Sequence, residues 1–108
     1  MDRRYSHDIE VQLMGRPGVL LFGEKVSFPY QKVEGLFYYL CVNSQISRSQ
    51  AISVLWAESS ESTARKNLRD AVYNIRKVLG QDILTVEGNT LIVLNRQRDI
   101  AVSYTHLR

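Results

Sequence analysis

The chain has 108 residues, with 14 basic and 11 acidic side chains and a net charge of +3. This length allows one domain with one hydrophobic core, and the 44% hydrophobic content excludes a disordered or low-complexity chain. No apolar run approaches the roughly 18 to 20 residues of a membrane span, and the first ten residues lack the apolar centre of a signal peptide. We therefore expect a cytoplasmic protein without a membrane partner.

The first thirty residues are predicted to form short strands separated by turns. Apolar and polar side chains alternate over residues 9–14, the glycines and proline of residues 15–18 interrupt the alternation, and two strand-like runs follow around residues 23–24. No helical pattern lies between these runs, so the strands cannot be joined by helical crossovers. We expect a small antiparallel sheet.

Two helices are predicted next. From Tyr30 the apolar residues recur every three or four positions, which indicates an amphipathic helix over about residues 30–43. Its apolar stripe includes the only cysteine, Cys41, which we expect to be a buried and unreactive core residue. Ser47 and Gln50 have the spacing of a capping box, so a second helix is expected to begin there, with apolar positions at Ala51, Ile52, Leu55 and Trp56.

A third helix is predicted over about residues 62–79, and Gly80 is well placed to end it. Successive helical residues are about 100° apart, which puts one apolar stripe toward the core: Ala64, Leu68, Ala71, Val72, Ile75, Val78 and Leu79. Beyond the helix, residues 83–87 and 90–95 are strand-like and are joined by the dipeptide Gly88-Asn89. This dipeptide is a strong signal for a two-residue hairpin turn.

Positive charge is concentrated in the third helix. Residues 64–80 carry a net charge of +4, whereas the remainder of the chain sums to −1. The side of this helix away from the apolar stripe presents basic, amide, tyrosine and acidic side chains: Arg65, Lys66, Asn67, Arg69, Asp70, Tyr73, Asn74, Arg76 and Lys77. Such side chains contact DNA bases and phosphates, although a solvated helix face without a partner has a similar composition. The single sign of the charge, and the position of this helix after a capped helix, favour a helix-turn-helix that binds DNA.

The terminal hairpin, over residues 83–94, extends this interpretation. A two-stranded projection after a recognition helix is a wing, which can reach the DNA backbone or minor groove. Its tip carries Asn89 and Thr90, short polar residues suited to phosphate contacts. The alternative is a hairpin that only closes the core.

Three segments occur in the order VQLMGRPGVLLFGEKVSF, VLW and ARKNLRDAVYNIRKVLG. Their order and spacing resemble the winged-helix DNA-binding domain of SARP-type bacterial transcriptional activators, a domain related to the output domains of OmpR/PhoB-type response regulators. The resemblance covers about residues 8–102 and implies an α+β winged helix-turn-helix with an N-terminal sheet of four strands, three helices and a C-terminal β-hairpin wing.

The resemblance also implies a function, namely sequence-specific binding of double-stranded DNA by a bacterial transcriptional regulator. The third helix would lie in the major groove and the wing at the backbone or minor groove. DNA contacts would then fall on Lys66, Asn67, Arg69, Asp70, Tyr73, Asn74 and Arg76, and wing contacts on Asn89 or Thr90. The loop AESSE, residues 57–61, corresponds to a segment that can touch RNA polymerase in related proteins.

The chain departs from the resembled domain in two ways. Activators of this type continue into a regulatory domain, and response regulators carry a receiver domain, but this chain has room for neither, so the intact protein is expected to have a further regulatory domain. After residue 102 the chain ends SYTHLR, which resembles translated adapter sequence. We predict that residues 1–102 are the DNA-binding domain and that residues 103–108 are a non-native tail.

Other classes of function are less well supported by the sequence. His7 and His106 lie near the ends of the chain, and no nucleophile elbow, phosphate-binding glycine loop or paired metal-ligand spacing is present, so we expect neither an enzyme nor a cofactor or metal site. The alternative to DNA binding is a protein-interaction module that docks an acidic partner on the cationic helix face, with tyrosines as anchors.

Overall fold

The computed structural model describes residues 8–88, 90–95 and 97–103. Asn89, a predicted wing contact, lies outside these residues, as do His7, His106 and residues 104–108 of the predicted tail. The chain divides into two compact units, one of residues 1–27 with 96–108 and the other of residues 28–95. Helices and sheets are both present, which confirms the predicted α+β class.

The secondary-structure elements of the described residues follow in chain order: β1 (Ile9–Gln12), β2 (Gly18–Leu21), β3 (Glu24–Lys25), α1 (Gln31–Asn43), β4 (Gln45–Ser47), α2 (Arg48–Leu55), α3 (Glu61–Leu79), β5 (Leu84–Glu87), β6 (Leu91–Leu94) and β7 (Ile100–Ser103).

The first unit contains a four-stranded sheet with the strand order β3-β2-β1-β7. The three N-terminal strands are antiparallel neighbours, as predicted, with Ile9 opposite Leu21. The sheet also has a strand that was not predicted, because β7 pairs parallel to β1 with Ile9 beside Ile100. Parallel neighbours need a long connection between them, and here the whole second unit supplies it. The resemblance implied four strands, and the fourth comes from the end of the described chain.

The second unit contains a three-stranded antiparallel sheet with the order β4-β6-β5. The predicted hairpin is present, but Glu87 is paired with Leu91, so three residues rather than two separate the paired positions. Gly88 has φ of 68°, a left-handed conformation that glycine adopts without steric cost. Strand β4, which was not predicted, adds Ile46 opposite Ile92 at the other side of β6.

The first two helices largely follow their predicted patterns. In α1 the five predicted apolar residues are all buried: Val33, Leu36, Phe37, Leu40 and Cys41. The capping box of α2 is confirmed, since the Gln50 N–H donates to Ser47 Oγ over 3.0 Å and the Ser47 N–H donates to Gln50 Oε1 over 2.9 Å. Of the apolar positions predicted for α2, Ala51 and Trp56 are buried, whereas Ile52 and Leu55 are only half-buried.

The third helix begins one residue before its predicted start. Ser60 caps it by accepting the Thr63 N–H over 3.3 Å, and Gly80 ends it with φ of 114°. Six of the seven residues of the predicted stripe are buried, and Val78 is half-buried. The inner face of α3 is therefore the predicted one.

Cys41 is expected to be unreactive toward iodoacetamide at pH 8 in the native protein. Only 5% of the residue is exposed, and burial raises the pKa of the thiol to about 12, so thiolate is scarce at that pH. Alkylation should be slow until the chain is unfolded in denaturant, which intact-mass spectrometry measures. Rapid and complete labelling of the native protein would contradict the buried placement.

Candidate nucleic-acid interface

The outer face of α3 carries the predicted DNA-contacting residues at two levels of exposure. Arg65, Lys66, Arg69, Asp70, Tyr73 and Lys77 are exposed, whereas Asn67, Asn74 and Arg76 are half-buried. Tyr73 is 60% exposed, which is high for a large aromatic residue. Exposed cations on both sides of an exposed aromatic ring can contact phosphates and base edges together.

A groove of about 320 Å³ lies beside this face, between α3 and the β5–β6 hairpin. Three basic residues line it, Arg48 from α2 and Arg69 and Arg76 from α3, and we call it the arginine groove. Its remaining surface includes Tyr73 and apolar side chains such as Ile92. No acidic side chain from the described residues is part of its lining.

Arg76 is held toward the hairpin. Its Nη2 donates to the main-chain oxygen of Leu84, at the start of β5, over 3.2 Å. Its Nε is buried and has no hydrogen-bond acceptor among the described residues. Arg76 therefore belongs to the wall of the arginine groove more than to the exposed face on which the helical pattern placed it.

Arg48 is a basic residue of this region that sequence reasoning missed. It is the first residue of α2, directly after the Ser47 cap, and its own N–H donates to the main-chain oxygen of Thr90 over 2.8 Å. Its Nε is also buried without an acceptor among the described residues. The sequence feature that could have identified Arg48 is a cation in the first turn of a predicted helix, where the helix dipole disfavours positive charge.

The opposite side of α3 faces the start of α1. A second groove, of about 580 Å³, is lined there by residues of both helices, among them Lys32, Lys66, Asn67 and Asp70. Asn74, also in this lining, donates its side-chain N–H to the Asp70 main-chain oxygen over 2.9 Å. Because an acidic side chain lies among these cations, this groove is electrostatically more balanced than the arginine groove.

Arg65 and Thr90 lie at the N-terminal end of α3 together with Arg48. Arg65 Nη2 is 2.6 Å from Glu61 Oε2, an exposed ion pair one helical turn apart. All four of these residues line a third groove of about 490 Å³. The structure thus brings Thr90, between strands β5 and β6, next to the cations of α2 and α3, while the charge of Arg65 is partly matched by Glu61.

The described residues lack the features of two other classes of site. No group of three or more His, Cys, Asp or Glu side chains among them could hold a metal ion. None of their helices combines the length and the apolar character needed to cross a membrane.

The sequence was also compared with known proteins. No protein-family model matches it, and a search of curated proteins finds no significant similarity.

Proposed function

We propose that this protein binds double-stranded DNA in a sequence-specific way as a bacterial transcriptional regulator. The observation that carries the proposal is the continuity of positive charge from the exposed face of α3 into the arginine groove beside the hairpin. In this arrangement α3 enters the major groove and the β5–β6 hairpin acts as a wing at the backbone or minor groove.

The dimensions of α3 suit this role. Its 19 residues give a length of about 28 Å, and the major groove of B-DNA, about 12 Å wide, admits one α-helix. Lys66, Tyr73 and Lys77 form the centre of the outer face, with Arg69 toward the hairpin. Cations next to an aromatic ring supply phosphate contacts and base-edge contacts from one surface.

The order of elements supports a winged helix-turn-helix. Helix α2, with its confirmed capping box, is followed after a short connection by α3 and then by the hairpin. The main-chain bond from Arg48 to Thr90 and the pairing of β4 with β6 attach the start of α2 to the hairpin. These contacts would hold the wing at a constant distance from the two helices when DNA binds.

The proposal extends to the partners of such a regulator. Residues 57–58 and 60–61, in the connection between α2 and the first residue of α3, are exposed, and this connection is the candidate contact for RNA polymerase. A cytoplasmic location, the absence of enzymatic activity and a regulatory domain elsewhere in the intact protein belong to the same proposal.

DNA binding is expected to be strongly dependent on salt. For a duplex selected from a random pool, log Kd plotted against log salt should have a slope of about 0.9 for each phosphate neutralised. About five phosphate contacts would therefore weaken binding roughly 10²- to 10³-fold between 50 and 200 mM salt. Fluorescence anisotropy measures this directly, with polyglutamate as an acidic but non-nucleic partner. Failure to bind any duplex of the pool at about 50 mM salt, with tight binding to polyglutamate, would overturn the proposal in favour of an acidic protein partner.

A further inference from the structure

The lining of the arginine groove has an excess of positive charge. Three guanidinium groups from two helices, those of Arg48, Arg69 and Arg76, line one groove of about 320 Å³ without a carboxylate from the described residues among them. A groove lined by cations of one sign concentrates positive potential and attracts anions. The charge distribution therefore indicates an anionic ligand.

The groove is also built to hold its cations in place. The Nη2 bond to the Leu84 oxygen fixes the head of Arg76, and the capping box together with the bond to the Thr90 oxygen fixes the backbone of Arg48. Each of these two arginines keeps one buried Nε–H that finds no acceptor among the described residues. Buried donors are normally satisfied, and these two belong to arginines that line the same groove, so part of the hydrogen-bonding capacity of both side chains is unused.

A phosphate group is the ligand that matches these donors. Arginine guanidinium groups bind phosphate oxygens through charge-assisted hydrogen bonds, and phosphate accepts donors from several directions. The donors here come from two helices, α2 and α3, so one tetrahedral anion could bridge them. A planar carboxylate is better matched by the fork of a single guanidinium group.

We propose that the arginine groove binds one phosphate group, with Arg48 and Arg76 as donors and Arg69 adding charge at its rim. Two sources can supply this chemistry, the backbone of bound DNA and a small phosphorylated molecule. The assignment to a backbone phosphate rests on the proposed function, and it makes Arg48 a DNA-contacting residue beside the wing. The binding of a phosphate group by the groove does not depend on that function.

The test compares Arg48→Gln with Arg16→Gln, both made in the full chain. Each variant removes one positive charge, but Arg16 is an exposed residue of the first unit, whereas Arg48 lines the groove. Arg48 is preferred over Arg76 because a cation at the start of α2 opposes the helix dipole, so its removal should not harm folding. Two quantities are measured: the salt dependence of duplex binding, and the NMR shifts of the arginine Nε–H groups as inorganic phosphate is added to the free protein.

Arg48→Gln is expected to weaken duplex binding about tenfold and to reduce the magnitude of the log-log salt slope by about 0.9, the value for one phosphate contact, while Arg16→Gln matches the wild type. Inorganic phosphate should shift the Nε–H signals of Arg48 and Arg76 in the wild type and leave that of Arg76 unmoved in Arg48→Gln. Both results together support a backbone phosphate in the groove.

The remaining outcomes distinguish the DNA backbone from a small phosphorylated molecule as the source of the phosphate. They also distinguish failure of the phosphate site from failure of the proposed DNA binding. Phosphate shifts with an unchanged duplex slope would support the groove as a phosphate site and assign it to a small phosphorylated molecule. Phosphate shifts in a protein that binds no duplex would support the groove while the proposed function fails. Duplex binding in which Arg48→Gln and Arg16→Gln are equal, without phosphate shifts, would overturn this inference and leave the proposed function standing.

Discussion

Replacing Ile75 with alanine should lower the free energy of unfolding by about 2 to 5 kcal/mol. Ile75 is fully buried on the inner face of α3, so the substitution removes three carbon atoms from a closely packed interior. The cost combines the lost burial of apolar surface with the cavity left behind, because the surroundings relax only in part. Urea unfolding followed by far-ultraviolet circular dichroism gives the difference, provided that the transition stays two-state.

Tyr73→Ala is the matched control on the same helix. Tyr73 is 60% exposed, and alanine has a higher helix propensity than tyrosine, so its replacement should change stability by no more than about 0.5 kcal/mol. Equal destabilisation by both substitutions would show that the inner and outer faces of α3 have been assigned wrongly.

Replacing Arg69 with alanine should weaken specific duplex binding by about 1 to 3 kcal/mol, or roughly five- to 150-fold. Arg69 is exposed on the hairpin side of the outer face of α3, and in the proposed complex its long side chain would reach a base edge in the major groove. An arginine that reads a base contributes to sequence discrimination as well as to affinity. The variant should therefore also tolerate substitutions at one base pair of the selected duplex.

Lys25→Ala supplies the control for the loss of charge. Lys25 is an exposed residue of β3, in the first unit, and its removal should leave the preference for sequence unchanged. Anisotropy titrations with the selected duplex and a panel of duplexes that differ from it at single base pairs distinguish the effects of Arg69→Ala and Lys25→Ala. If Arg69→Ala binds every duplex of the panel as the wild type does, then Arg69 makes no base contact.

The elements that the sequence predicts well are those whose signals are local. The buried stripe of α1 and the inner face of α3 follow from a spacing of three and four residues, and the α2 capping box follows from Ser47 and Gln50 alone. In each case the interacting residues lie within a few positions of one another. Local spacing therefore predicts these elements without information from the rest of the chain.

The features that the sequence does not predict depend on distant residues. Strand β4 has only three residues and is defined by its pairing with β6, and β7 is defined by its pairing with β1. The candidate site was predicted incompletely for the same reason, because contacts between distant residues bring its side chains together. The helical pattern places Arg76 near the outer face, but its hydrogen bond to Leu84 turns it toward the hairpin, and only the bond to Thr90 reveals that Arg48 lies beside the hairpin.

The parallel pairing of β1 with β7 has a consequence for the order of folding. Strands β1, β2 and β3 are consecutive and can pair as soon as they leave the ribosome, whereas the edge of β1 beside Ile100 must wait for nearly the whole described chain. Contacts between such distant residues are slow to form because a long loop must close first. During synthesis β1 therefore has one unprotected edge, which is open to pairing with a neighbouring nascent chain.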